Sequence, residues 1–123
     1  MIAYLTGNYL PQDQIRISPD DRGFLLADGA YEVIRAYRGR FFKLDAHLER
    51  LARSLRELGI VGLDAASLGP VAERLVGDNG LAGGDATVYL QVTRGAGSRS
   101  RPFPDPPIAP TVSAIGVVQS SLC

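Results

Sequence analysis

Several residue types on which familiar kinds of site depend are scarce in this sequence of 123 residues. The single cysteine, Cys123, is the last residue, which excludes an intramolecular disulfide and a cysteine-based zinc site. His47 is the only histidine, so a histidine-cluster metal site and a serine–histidine triad with a spare base are poorly supported. A lone histidine in a helical pattern is more typical of a structural role than of a catalytic one. Lys43 is the only lysine, and the other basic residues are arginines.

A charge excess of one sign and long apolar segments are lacking as well. Thirteen basic residues balance 13 acidic ones, which excludes a general field for binding polyanions such as nucleic acids. No segment reaches the roughly 18 consecutive apolar residues of a membrane span. The opening sequence, MIAYLTGNYL, has neither the basic region nor the apolar run of a signal peptide. We therefore expect a cytoplasmic protein with no nucleic-acid or membrane partner.

The hydrophobic content of 46% is enough to form one small core. Alternating and β-branched residues predict strands along much of the chain. Gly7 and Asn8 form a turn signal between the first two strands, and residues 38–40 join two later ones into a hairpin. The predicted strands are residues 1–4, 15–17, 30–37, 41–44, 86–94 and 111–118.

Two helices are predicted between these strands. Leucines recur at helical spacing along residues 46–58, and such a stripe predicts a helix with one buried face. Asp45 is its expected N-cap and Gly59 its expected C-cap. A second helix is predicted over residues 66–78, in which Pro70 is acceptable if it lies in the first turn. Because strands and helices do not alternate regularly, these elements predict an α+β fold rather than a doubly wound parallel sheet.

An irregular loop is predicted over residues 95–110, where prolines cluster. Its first residues are rich in glycine, but the prolines leave no helix N-terminus to receive a phosphate, which argues against a dinucleotide-binding fingerprint. Arg94, Arg99 and Arg101 lie in or beside this loop, and guanidinium groups suit the capture of a carboxylate or a phosphate. The alternative is a solvated loop with ordinary surface arginines.

Two further positions carry candidate binding groups. Arg50 lies beside the leucine stripe and has no acidic residue at helical spacing, so it is interpreted as unpaired and free to bind an anion. An ordinary exposed arginine is the alternative. Tyr31 and Arg35 share one face of the predicted strand over residues 30–37. That face is either the wall of a polar pocket or an amphipathic sheet surface.

Two stretches of the chain resemble a known family. They are DRGFLLADGAYEVIRAYRGRFFKLDAHLERLARSLRELGI, residues 21–60, and VYLQVTRGAGSRSRPFPD, residues 88–105. Together they resemble the N-terminal domain of the class IV, fold-type IV pyridoxal-phosphate enzymes, with the D-amino-acid aminotransferases as the most similar group. The resemblance implies a small α+β domain over residues 1–118, with a mostly antiparallel sheet and two main helices. Residues 119–123 are then a truncated tail.

The resemblance also implies roles for individual residues. Arg50 matches the arginine that binds the phosphate of the cofactor, and Tyr31 matches the tyrosine that donates a hydrogen bond to the substrate α-carboxylate. Arg99 matches a loop arginine of the carboxylate trap, which in family dimers reaches into the site of the neighbouring subunit. Arg101 stands in the same loop, where D-amino-acid aminotransferases usually have a histidine. We therefore expect Arg50 to bind the cofactor, and Tyr31, Arg99 and Arg101 to bind the substrate.

By the same resemblance, the reacting groups lie outside this chain. In the family, the lysine that forms a Schiff base with pyridoxal 5'-phosphate and the glutamate at the ring nitrogen belong to the C-terminal domain, and Lys43 does not match that lysine. The chain is therefore expected to be the N-terminal half of a homodimeric aminotransferase, inactive without its C-terminal domain. The complete enzyme would move an amino group from a D-amino acid to a 2-oxo acid. The alternatives are half of an aminodeoxychorismate-lyase-like enzyme and a non-catalytic anion-binding or dimerisation module.

Overall fold

In the computed structural model, which describes residues 1–97, 99 and 102–118, a six-stranded sheet packs against two main helices. The strand order is β2-β1-β6-β5-β3-β4, and every neighbouring pair is antiparallel. This arrangement confirms the predicted α+β class. The elements in chain order are β1 (Ile2–Leu5), β2 (Asn8–Pro11), α1 (Arg22–Leu26), β3 (Gly29–Tyr37), β4 (Arg40–Phe41), α2 (Leu44–Leu58), α3 (Leu68–Asp78), β5 (Asp85–Thr93) and β6 (Thr111–Val118).

The pleat of β3 decides which of its side chains face the helices. Glu32, Ile34 and Ala36 are buried, whereas Tyr31 and Arg35 are exposed on the other side of the strand. Because adjacent residues of a strand point to opposite faces, Tyr31 and Glu32 lie on opposite faces of the sheet. β3 is paired with β5 along its whole length, which fixes these orientations.

Helix α2 packs on β3 and buries most of the predicted leucine stripe, namely Leu48, Leu51 and Leu55. The helix begins at Leu44 rather than at residue 46, and Asp45 lies in its first turn rather than at the N-cap. Lys43 takes the N-cap position, with a left-handed backbone. An acidic residue in the first turn interacts favourably with the helix dipole, which explains why Asp45 indicated the N-terminal end of α2 without being its N-cap. Gly59 is the C-cap, as predicted.

Two strand predictions near the ends of hairpins are wrong. Residues 15–17 form no strand, and the partner of β1 is β2. Tyr9 of β2 packs edge-on against Tyr4 of β1 with ring centroids 5.1 Å apart, an aromatic contact that the short run over residues 15–17 does not offer. The strand predicted over residues 41–44 is reduced to β4, because the chain turns directly into α2.

The remaining helices differ from expectation in small ways. α1 is not among the predicted elements, since five residues are too few to show a helical hydrophobic pattern. Its N-cap is Asp21, which accepts a hydrogen bond from the Gly23 N–H at 2.9 Å. α3 begins at Leu68 rather than at residue 66, after a 3-10 turn at Ala65–Ser67, and this later start puts Pro70 in its first turn, where a proline is tolerated. Among the residues described, no helix is long and apolar enough to cross a membrane.

Candidate cofactor and substrate site

A buried carboxylate lies between strand β3 and helix α2. The side chain of Glu32, on the covered face of β3, is only 3% exposed. Its Oε2 accepts a hydrogen bond from Arg50 Nε at 2.9 Å, and its Oε1 accepts one from Arg50 Nη2 at 2.7 Å. His47 Nδ1 lies 2.7 Å from the same Oε1. Glu32 therefore holds one edge of the Arg50 guanidinium in a two-point contact.

The electrostatics of this cluster keep both partners ionised. Burial raises the pKa of Glu32, but hydrogen bonds and charge from Arg50 and His47 lower it by more, so its pKa lies below the ordinary value. The hydrogen bonds and charge of Glu32 raise the pKa of Arg50. Tyr31, although it is on the other face of β3, lies near enough to Arg50 to contribute to this rise. Arg50 is thus a fixed and permanent positive charge.

The opposite edge of Arg50 is open to solvent. Its side chain is 58% exposed, and Nη1 donates to none of the residues that the structure describes. The interpretation of Arg50 as unpaired is nevertheless wrong, because its partner lies 18 residues away on a strand. Helical spacing could not show this partner. The alternation along β3 could have indicated it, because this alternation places Glu32 on the apolar face with Ile34 and Ala36, where a carboxylate needs a partner.

Tyr31 lies on the open face of the sheet, with 69% of the residue exposed. Its neighbour across the sheet on β5 is Gln91, and the next pair on this face is Val33 opposite Tyr89. The polar end of the face, at Tyr31 and Gln91, is therefore the end of β3 that also carries Glu32. The hydroxyl group of Tyr31 and the guanidinium of Arg50, which Glu32 holds, therefore lie near the same end of β3.

A second buried carboxylate joins β3 to the loop that follows β5. Asp28 Oδ2 accepts hydrogen bonds from Arg22 Nε at 2.9 Å and from Arg94 Nε at 2.7 Å. Arg94 also donates to the carbonyl oxygens of Leu58 and Gly59, at the C-terminus of α2, at 2.6 and 3.2 Å. Burial raises the pKa of Asp28, but the hydrogen bonds and charges of Arg94 and Arg22 bring it below the ordinary value. Arg94 is thus a buried structural residue rather than a ligand-binding one.

The loop after β5 places Arg99 at the surface. Its Nε donates a hydrogen bond to Asp20 Oδ1 at 2.8 Å. At the start of the loop, Gly95 has a φ of 111°, and a Cβ there would collide with the carbonyl oxygen of Ala109. Only glycine therefore permits the two ends of the loop to approach so closely. Arg101, the other loop arginine expected to bind substrate, lies outside the described residues.

Three of the four predicted binding residues therefore lie in described parts of the chain. Arg50 and Tyr31 lie at the same end of β3, whereas Arg99 lies in the loop after β5 with Asp20 as its ion-pair partner. Sequence reasoning missed the acidic residues that hold these arginines, Glu32 and Asp20. Both partners are distant in sequence from the arginines, so no local pattern paired them.

Comparison with known proteins gives the family. The model of the class IV aminotransferases matches residues 29–121, and the chain belongs to this family. D-alanine aminotransferase of Staphylococcus epidermidis is 36% identical over 113 residues, which are 91% of this chain and 39% of that protein. D-alanine aminotransferase of Bacillus licheniformis is 36% identical over 104 residues, 84% of this chain and 36% of that protein. The chain thus spans well under half the length of these curated relatives.

Solved structures share the fold. Branched-chain amino acid aminotransferase of Escherichia coli has a TM-score of 0.86 at 15% identity, over 96% of this chain and 40% of that chain. A hypothetical aminotransferase of Mycobacterium tuberculosis in its pyridoxal-phosphate-bound form has a TM-score of 0.74 at 20% identity, over 95% of this chain and 39% of that chain. 4-Amino-4-deoxychorismate lyase of Pseudomonas aeruginosa has a TM-score of 0.73 at 31% identity, over 97% and 40%. The predicted aminotransferase-like α+β fold is confirmed.

Proposed function

We propose that this chain is the N-terminal part, residues 1–118, of a homodimeric pyridoxal-phosphate-dependent aminotransferase that moves an amino group from a D-amino acid to a 2-oxo acid. Membership of the class IV family supports amino transfer. Similarity to D-alanine aminotransferases supports D-amino acids as substrates. The observation that carries the proposal is the contact between Glu32 and Arg50, because it presents a fixed guanidinium with one open edge.

The open edge of Arg50 fits the phosphate of pyridoxal 5'-phosphate. Guanidinium groups bind phosphate oxygens through paired N–H groups, and those of Nη1 and the second N–H of Nη2 remain for this purpose. Glu32 fixes the plane of the guanidinium in advance, and the buried position of Glu32 keeps that plane constant. When bound, the cofactor supplies an electron sink for cleavage at the substrate α-carbon. Arg50 contributes binding and orientation.

The substrate carboxylate is assigned to Tyr31 and the loop arginines. The exposed hydroxyl of Tyr31 can donate a hydrogen bond to a carboxylate oxygen, and the exposed guanidinium of Arg99 can bind two such oxygens. Arg101 is assigned the same role as Arg99. Within one chain Arg99 pairs with Asp20 rather than with groups around Tyr31, which agrees with a loop that serves the neighbouring subunit.

Lys43 does not have the surroundings of a lysine that bonds to the cofactor. It lies exposed at the N-cap of α2, with Nζ 5.5 Å from the ring centroid of Phe42. A reactive lysine is normally desolvated, or close to another cation, so that its amine is unprotonated. The exposed position of Lys43 supports the proposal that the reacting lysine lies in a C-terminal domain, which by the family resemblance also carries the glutamate at the ring nitrogen. On this view the chain is inactive by itself.

Elimination by an aminodeoxychorismate-lyase-like enzyme is the second candidate. The Pseudomonas aeruginosa lyase is 31% identical and covers 97% of this chain, which supports it. The geometry of Arg50 suits both enzymes, because either one would bind the phosphate of the same cofactor. The two functions differ in their need for an acceptor, since an elimination consumes no 2-oxo acid.

The test uses the full-length protein that contains this chain. With D-alanine and 2-oxoglutarate, we expect pyruvate and D-glutamate in equal amounts, and a much lower rate with L-alanine. Release of pyruvate from aminodeoxychorismate without any 2-oxo acid would establish the lyase instead. Absence of both activities in a folded protein saturated with pyridoxal 5'-phosphate would favour a non-catalytic module and contradict the proposal.

A further inference from the structure

Arg99 is held by a carboxylate at one nitrogen only. Its Nε donates to Asp20 Oδ1 at 2.8 Å, and the two side chains are 67% and 52% exposed. Nη1 and Nη2 donate to none of the residues in the described ranges. The guanidinium is therefore held at Nε, the nitrogen nearest the aliphatic part of the side chain. The edge formed by its two terminal nitrogens suits two-point binding of a carboxylate, and no described residue occupies it.

Asp20 is itself fixed relative to the loop that carries Arg99. Its carbonyl oxygen accepts a hydrogen bond from the Gly97 N–H at 3.2 Å. Two residues later, the Arg22 N–H donates to the carbonyl oxygen of Gly95 at 2.9 Å. The segment that bears Asp20 and the first part of the loop are thus joined through their backbones. The ion pair between Asp20 and Arg99 adds a side-chain link to this junction.

We propose that Asp20 is a positioning residue for substrate binding, which holds Arg99 with its terminal edge turned outward to receive the carboxylate of the amino acid. The proposal rests on the proposed function. An arginine that is held in advance loses less side-chain freedom when the carboxylate binds, so affinity rises although Asp20 does not touch the substrate. Glu32 holds Arg50 in a comparable way, through Nε and one terminal nitrogen.

The geometry also determines whether loss of the Asp20 carboxylate weakens or strengthens substrate binding. A carboxylate bound to both terminal nitrogens of Arg99 would occupy the place of the substrate, and its removal would strengthen substrate binding. Asp20 contacts Nε, and within the described part of the chain no acceptor contacts those two nitrogens. Loss of the Asp20 carboxylate therefore weakens substrate binding, because it releases Arg99 into a larger set of side-chain conformations.

Trypsin tests the contact without any assumption about the reaction. Cleavage after Arg99 requires this side chain to leave Asp20 and enter the protease, so its rate follows the fraction of open pairs. Arg94 is buried and Arg101 precedes a proline, which leaves the bond after Arg99 as the expected cleavage site in the loop. In the 123-residue chain, Asp20→Asn should raise the initial rate of this cleavage about two- to fivefold, the range of an exposed ion pair. Equal rates would overturn the proposal.

Asp13→Asn is the matched control for this experiment. It removes the same charge from the same exposed part of the chain, and Asp13 has no ion pair among the described residues. Its cleavage rate after Arg99 should equal that of the unchanged chain, and Asp20→Glu should remain close to it. If Asp13→Asn accelerated cleavage as much as Asp20→Asn, the effect would be one of net charge, and the proposal would be contradicted.

Kinetics of the full-length enzyme test the consequence for the substrate. Asp20→Asn should raise the KM for D-alanine about two- to fivefold, with kcat and the affinity for pyridoxal 5'-phosphate unchanged. Asp20→Glu should restore most of the KM. In an Arg99→Gln background, Asp20→Asn should have no further effect. A fall in KM, or a rise of equal size in the Arg99→Gln background, would refute positioning through Arg99.

The two measurements separate this inference from the proposed function. If the full-length protein shows no transamination while Asp20→Asn still accelerates cleavage after Arg99, the proposed function fails and the contact stands. If transamination is present but neither cleavage nor KM responds to Asp20→Asn, the positioning role fails and the function stands.

Discussion

Glu32 binds Arg50 with both carboxylate oxygens, across 18 residues of sequence and between a strand and a helix. The carboxylate is buried, whereas the guanidinium is more than half exposed. A residue inside the domain therefore sets the direction of a charge at its surface. His47 contacts the same carboxylate from the preceding turn of α2, so the only histidine of the chain supports this arrangement.

The stability of the chain should depend on the ionisation of Glu32. Because its pKa in the folded state is lowered, folding is favoured above the ordinary pKa of 4.5, and this contribution is lost as the pH falls through the lowered value. Glu32→Gln should reduce the free energy of unfolding near neutral pH by about 1–2 kcal/mol. It should also flatten the decline in acid. Urea denaturation at a series of pH values measures both effects.

Glu57→Gln is the control for this prediction, because Glu57 is exposed on α2 and has no ion pair among the described residues. It should change the free energy of unfolding by no more than about 0.5 kcal/mol. If Glu32→Gln left the same pH dependence as the unchanged chain, the carboxylate would not be stabilising the fold in its ionised form.

Replacing Asp28 should lower the free energy of unfolding more than replacing Asp78 does. Asp28→Asn leaves Arg22 and Arg94 buried without their shared carboxylate, and the loss of one partner from a buried ion pair costs about 3–5 kcal/mol. Asp78→Asn, which breaks an exposed pair with Arg74 on α3, should cost about 0.3–0.5 kcal/mol. Chemical denaturation of both variants checks the difference. Similar losses for the two would show that the Asp28 cluster is not a buried anchor of the fold.

Lys43 should not form a stable bond to the cofactor. It is exposed at the N-cap of α2, where its nearest aromatic neighbour is Phe42. After incubation of the 123-residue chain with pyridoxal 5'-phosphate and reduction with borohydride, peptide mapping should find no specific label at Lys43. Saturable labelling of one lysine per chain would mean that the chain carries its own reacting lysine.

Arg101 should act on the substrate and not on the cofactor. In the full-length enzyme, Arg101→Ala should raise the KM for D-amino acids and leave the affinity for pyridoxal 5'-phosphate nearly unchanged, because lost uniform binding appears in KM. Steady-state kinetics and a cofactor titration measure the two quantities. An unchanged KM for every amino acid tried would reduce Arg101 to a solvated surface charge.

Local patterns predict much of the fold, because they record which face of an element is buried. The alternation along β3 placed Tyr31 and Arg35 on one face, and the leucine spacing placed the buried stripe of α2. The same patterns failed where a contact joins distant segments. Nothing near Arg50 in the sequence points to Glu32. The wrong partner for β1 is a local error by contrast, because β2 follows directly after the turn and the run over residues 15–17 only resembles a strand.

Binding of the cofactor phosphate by Arg50 can be tested with one pair of titrations. In the full-length enzyme, Arg50→Ala should weaken the binding of pyridoxal 5'-phosphate by about 1.5–3 kcal/mol, the scale of a hydrogen bond to a charged group. It should leave the binding of pyridoxal, which lacks the phosphate, unchanged. Arg53→Ala, an exposed arginine of the same helix, should affect neither ligand. Equal losses for pyridoxal 5'-phosphate and pyridoxal, or no loss for either, would show that Arg50 does not bind the phosphate.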